Sequence, residues 1–316
     1  MKKYRLLKLA LIFCLFISCN KDDEDVFATE SSPDWYEIKD KPGELNQLLY
    51  QIYKDYGLTI FVNDTLGVEE RGVDAYGNKI IHTQLFDPGY YVWGTYKDIG
   101  RISLSHDNAT LLKAVNAIKD YYLPICPKEL FPRSILLVDS VHTKFEYQYK
   151  VYNIECYIYS SSIRGYVVGK LNSIMQMNDF EVRQWVGQIL APKCVEWILA
   201  NYEKEEINAF YDISEDNYGW GIYETTIYWN QPEYNVEPEA LGFWRWKKHI
   251  EDQWVKRTIS YNEDLQDFAA WVFAYWNNKD EFYETYKDYE PLTQKFTLYY
   301  EWFKAFCEAN NLKLEK

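Results

Sequence analysis

Imidazole is the usual metal ligand and proton carrier near neutral pH, so the four histidines, His82, His106, His142 and His249, are the first residues to weigh. None stands at i, i+3 or i+4 from another, so no helical face brings two of them to one ion, and each reads as an isolated core or surface side chain. His249 with Glu251 and Asp252 is the densest cluster, yet adjacent residues on a helix point apart. The 48 Asp and Glu residues could contain a glycosidase pair about 5 to 9.5 Å apart, a separation that sequence does not reveal. GxSxG, P-loop and GxGxxG patterns are absent, so serine-hydrolase and nucleotide chemistry have no support. Aromatic residues are plentiful, with 30 Tyr, 16 Phe and 12 Trp. They cluster outside the expected helices at Tyr218, Trp220, Tyr223, Tyr228 and Trp229, and again at Trp244 and Trp246. Gly219, Gly221 and Arg245 stand beside these rings, an arrangement suited to stacking sugar rings or peptide side chains. Tyr218, Trp220, Trp244 and Trp246 are therefore the candidate binding residues, with ordinary packing as the alternative.

The elements that must position such residues need a core, and 316 residues with 47% hydrophobic and 26% charged content can build one; disorder, collagen and coiled coil are excluded. Net charge is −14, and losing Lys2, Lys3, Arg5 and Lys8 with a leader would make it four units more negative, so nucleic acid and anionic headgroups are poor partners.

The N-terminus reads as an address. The basic start is followed by an apolar run from Leu9 to Ile17, too short to span a bilayer, and then by Ser18-Cys19, the pattern of a bacterial lipoprotein signal over residues 1–18. Acylation of Cys19 would anchor the chain in a membrane, with residues 19–33 as a flexible tether. The following Asn20-Lys21-Asp22-Asp23-Glu24-Asp25 resembles the export signal that sends Bacteroidota lipoproteins to the outer cell surface. Beyond the anchor lie Cys126, Cys156, Cys194 and Cys307, which could form two disulfides in any of three connectivities or remain buried thiols.

Helical spacing places Leu45, Leu48, Leu49, Ile52, Tyr53 and Tyr56 on one face, with Gly57 as the stop and a strand over 58–62. Residues 72–105 read as strands and turns around a Tyr76-Gly77-Asn78 hairpin tip. A helix bearing Leu111, Val115, Ile118 and Tyr122 should end at Pro124; strands are expected over 134–139 and within 146–160. The second half turns helical. Segments 179–190 and 193–202 flank Pro192 as two helices, 218–229 is a hairpin candidate, Ser260 and Glu263 form a capping box, and Pro291 opens the last helix. The expected architecture is one α+β domain over 34–316, with a mixed part (34–170) and a helical part (171–316).

The string Arg183-Gln184-Trp185-Val186-Gly187-Gln188-Ile189-Leu190, placed mid-helix after Met177-Asn178-Asp179, resembles the HExxH helix of the zinc-binding metallopeptidase lipoproteins of Bacteroidota, which accompany SusC/SusD-like uptake systems. The helix at 45–56, the strand Leu136-Leu137-Val138-Asp139-Ser140, Leu241-Gly242-Phe243 and the block 263–269 match as well, so the resemblance spans roughly residues 45–310. It implies a zincin-like scaffold in which two histidines hold Zn²⁺ and a glutamate is the base. Here Gln184 and Gln188 replace both imidazoles, and Trp185 replaces the base. Ala270, after Asp267-Phe268-Ala269, stands where the family has a third, glutamate ligand. The resemblance thus implies a pseudo-metallopeptidase with no catalytic residues, no metal and no cofactor. It would act as a binding or scaffolding subunit for peptide or glycan uptake by a SusC/SusD-like transporter. The rival expectation is a working hydrolase of the same system.

Overall fold

The computed structural model describes residues 33–88, 99–147, 150–162, 164–218, 221–247 and 255–314. The chain from Tyr36 onward forms one unit and is mixed α/β, in line with an α+β reading. The leader, Cys19, the export-like segment, Trp220 and the His249 cluster lie outside the described residues.

Helix α1 (Glu44–Tyr56) buries Leu49 and Ile52 and stops at Gly57, which takes the left-handed conformation at no Cβ penalty. Strand β1 (Thr59–Phe61) follows, then the hairpin of β2 (Thr65–Val73) and β3 (Lys79–Leu85), whose tip falls at Asp74–Asn78 as expected. After β4 (Ile99–Leu104), helix α2 (Asn108–Ala117) is capped by Asp107 and runs into a π-helical turn at Ile118–Tyr122, so the expected single α-helix changes pitch before Pro124.

The organising strand is β5 (Ser134–Tyr147), much longer than the 134–139 segment the apolar run suggests. Its first half runs parallel to β1 on one side and to β8 (Gly165–Val168) on the other, and β7 (Ile158–Ser162) closes that edge antiparallel to β8. Its second half pairs antiparallel with β4 and β6 (Lys150–Cys156). Alternation along β5 sends Ile135 and Leu137 to the large helical core, and Leu136 and Val138 to a smaller cluster with Phe61, Phe86 and Val167 on the other face. Gly165 lets this pairing close, because a Cβ there would lie 2.2 Å from the carbonyl oxygen of Ser134.

After the short α3 (Leu171–Ile174), α4 (Asp179–Asn201) is a single helix continuing through Pro192 rather than two flanking it. Pro192 deprives the Gln188 carbonyl of its usual N–H, but buried residues on both sides of the proline (Val186, Ile189, Leu190, Cys194, Val195) hold the axis together. Helix α5 (Lys204–Tyr218) occupies the start of the expected 218–229 hairpin, and β9 (Thr226–Tyr228) instead pairs with distant β10 (Val255–Arg257). Helix α6 (Tyr261–Tyr275) begins with the expected Ser260/Glu263 capping box, and α7 (Lys279–Tyr286) and α8 (Glu290–Ala309) complete the unit. Among the described residues no helix is long and apolar enough to cross a membrane. Cys126, Cys156, Cys194 and Cys307 are all unpaired thiols; burial pushes the first three up to about 12.

Candidate functional site

Helices α4 and α6 bring the 184–188 segment against Ala270. An Asn178/Glu181 capping box fixes the start of α4, a signal present in the sequence that helical spacing alone does not bring out. Gly187 faces Ala270 so closely that a Cβ on the glycine would stand 2.9 Å from both the Cα and the carbonyl oxygen of Ala270, and 3.2 Å from Cβ of Phe273. The two helices therefore meet backbone to backbone where the family resemblance expects a metal between them.

Each position of the pentad has a distinct fate. Trp185 is fully buried and donates its indole N–H to the carbonyl oxygen of Gly169 at 2.9 Å, which ties α4 to the end of β8. Gln188 is 2% exposed and its Nε2 has no hydrogen-bond partner among the described residues. Gln184 is nine-tenths buried, has no side-chain hydrogen-bond partner among the described residues, and lines a cavity of about 220 Å³ with Tyr157, Phe180, Glu181, Trp244, Arg245, Asp267 and Trp271. Gln188 and Ala270 do not line that cavity, so the three positions share one helix crossing but not one pocket.

The charged element of the cavity is Arg245 with Asp267. The guanidinium Nε lies 2.8 Å from Oδ2, with Nη2 donating to Oδ1 at 3.4 Å. Burial pushes the Asp267 carboxyl up to about 6 against the pull of Arg245. Next to it, burial of Glu263 is outweighed by its pairing with Lys247 at 2.8 Å and by the capping hydrogen bond from Ser260, which together hold the carboxyl below its ordinary value. Sequence reasoning missed the Arg245–Asp267 pair: Arg245 entered only as a neighbour of two tryptophans, and Asp267 only as part of a matching block.

A second charged pair lies deeper. Lys295 contacts Asp264 with both side chains fully buried, and donates to Ser214 Oγ and Tyr223 Oη, each at 3.1 Å. Tyr223 donates to the same carboxylate at 2.7 Å, and the ammonium sits 4.3 Å from the ring centre of Phe210 and 5.0 Å from that of Phe243. Burial moves the Asp264 carboxyl up and the Lys295 ammonium down. This pair closes the core and has no opening to a ligand.

The aromatic candidates divide. Trp244 is 6% exposed, stacked face to face on Trp271 at 4.0 Å; it is a buried wall of the cavity rather than a surface platform, because its loop is pinned under α6 and α7. Trp246 is half-buried, with Lys256 5.1 Å above its ring. Tyr218, at the end of α5, packs on the cluster around Ile222 and Phe243. Tyr228 and Trp229 are exposed, at 43% and 61%.

The donor set does not suit zinc: two neutral amides, an indole already engaged and a methyl group supply neither imidazole nor thiolate nor carboxylate. Among the described residues no group of three or more His, Cys, Asp or Glu could hold a metal ion. What the recess offers is recognition: the free amide of Gln184, the hydroxyl of Tyr157 and a partly exposed Arg245 set among aromatic rings. Compared with known proteins, the chain matches no protein-family model, no curated sequence and no solved structure.

Proposed function

We propose that this chain is a lipid-anchored outer-membrane protein, facing the cell exterior through acylated Cys19. On this reading a zincin-like scaffold has been retained for binding, and the protein holds a peptide or glycan for a SusC/SusD-like transporter without cutting it. The observation that carries this reading is the contrast along one helix. Trp185 and Gly187 are committed to packing, while Gln184 keeps its amide free in a recess walled by aromatic rings. A general base typically contributes about 10² to 10⁴ in rate, and an indole that accepts no proton removes it. The β2–β3 hairpin exposes Val68, Val73, Tyr76 and Ile81, apolar surface of the kind protein partners cover, which supports a contact with the transporter.

The test is a binding titration of the purified protein with peptide and oligosaccharide mixtures, with mass spectrometry of the mixture afterwards. Saturable binding weakened by Gln184→Ala, with every component recovered intact, is the expected result. Shortened products, abolished by a chelator, would replace this reading with a working hydrolase.

A further inference from the structure

A second cavity of about 220 Å³ lies between α4, α6 and the π-helical turn, and nothing in the proposed function uses it. Its cationic side chains are Arg183 and Lys313. Arg183 is partly buried, with its Nε shielded from solvent, and among the described residues it has neither an acceptor for that Nε nor an ion-pair partner; its guanidinium instead lies against the face of Tyr121, 5.5 Å away. Lys313 is exposed at the rim, and its ammonium likewise has no carboxylate partner among the described residues. Asp120 lines the same cavity, is exposed, and pairs with neither cation. In a chain of net charge −14, a recess with two cations and one carboxylate, none of them paired with another, runs against the overall balance.

The lining is mixed: Phe273, Trp276 and Tyr121 supply aromatic wall, beside the polar Asn277 and the charged side chains. Tyr121 and Asp120 are carried there by the π-helical turn, where Leu123 N–H reaches back five residues to the Ile118 carbonyl at 3.0 Å; such turns concentrate at functional sites. The volume is below the roughly 300 to 1,000 Å³ typical of drug-sized ligands, so it suits one ring or short alkyl chain.

We propose that this cavity binds a small carboxylate with an aromatic or short aliphatic body, the carboxylate meeting the guanidinium fork of Arg183 and the ammonium of Lys313, and the body lying on Phe273 and Trp276. A guanidinium matches a carboxylate with two parallel N–H donors, which Lys cannot reproduce. Asp120 in the same lining opposes anion binding, so the two cations leave one net positive charge for the carboxylate to meet. The site stands independently of the reading given for the Gln184 recess.

The experiment is a ligand-observed NMR titration of the full chain in lipid nanodiscs, with empty nanodiscs as the control. The probes are 3-phenylpropionate and its neutral amide. Saturable binding of the carboxylate, at least tenfold tighter than the amide, is expected. Arg183→Met should weaken it at least tenfold, and Arg183→Lys by less, with Gln184→Ala leaving it unchanged. Lys313→Met, at an exposed position that leaves the fold intact, should weaken it about threefold and flatten its salt dependence. Equal binding of acid and amide, no saturation by 10 mM (about the weakest affinity worth calling a site), or full binding by a folded Lys313→Met and Arg183→Lys protein would overturn the proposal.

Discussion

Replacing Gly187 by alanine sets two effects of opposite sign against each other. Alanine is favoured over glycine in a helix interior by roughly 0.5 to 1 kcal/mol. The new Cβ, however, would lie 2.9 Å from the Ala270 backbone, which cannot turn aside as a flexible side chain would, and overpacking of that kind costs about 1 to 3 kcal/mol. The steric term wins, so Gly187→Ala should lower the melting temperature by several degrees; an unchanged or raised value in a calorimetric scan would mean that the two helices do not touch there. Asp267 gives a pH signature. Burial raises its folded-state pKa from the ordinary 3.8 to about 6, so its protonated form favours the folded chain, and that contribution is lost as pH climbs from about 4 through 6. Glu263, where burial is outweighed by Lys247, lies below its ordinary 4.5 and contributes in the opposite direction, stabilising above 4.5 and less as pH falls. Removing the titrating group isolates the first effect: Asp267→Asn should flatten the decline in urea-unfolding free energy between pH 4 and 6, and Arg245→Met should move the carboxyl titration seen by NMR higher still. Part of the site was legible residue by residue. The resemblance points to Gln184, which lines the cavity, and to Gln188 and Ala270, which do not, while Arg245 and Asp267 are 22 residues apart and meet only through tertiary packing.

Among the elements, those with a strong local signal were readable: Gly57 as a stop, the 74–78 hairpin tip, and the Ser260/Glu263 capping box each act within a few residues. Pro192 misleads because its local penalty, about 3 kcal/mol, is outweighed by the apolar residues that α4 buries on either side of it. The long β5 and the β9–β10 pairing depend on partners far away in the chain, which no local pattern encodes. Lys295 was equally hidden, since a lysine in α8 reads as a solvated residue until α5 and α6 enclose it. Its pairing predicts a non-additive cycle. Lys295→Met leaves Asp264 charged and buried, and should cost about 3 to 5 kcal/mol, whereas Asp264→Leu with Lys295→Met should come within about 1 kcal/mol of the parent. Chemical denaturation of both single variants and the double variant checks this, and a double-variant loss equal to the sum of the two single losses would mean that the pair is not coupled.

For the molecule as a whole, helices and strands share one packed unit, and the two faces of the sheet sort the core as the alternation along β5 requires. The α+β expectation is met at that level, while the zincin-like assignment and the transporter setting rest on the resemblance of short blocks. The proposed lipid anchor at Cys19 is testable by fractionation: on that proposal the parent sediments with outer membranes and Cys19→Ser is released, because a polar tether would provide no substitute for acyl chains. Whether the α4–α6 crossing holds a metal is decided by zinc titration calorimetry of the chelator-treated protein. No stoichiometric uptake is expected at micromolar zinc, since positions 184, 185, 188 and 270 supply two neutral amides, a committed indole and a methyl group. One zinc bound per chain, and lost on Gln184→Ala or Gln188→Ala, would mean that the helix still carries a working metal site.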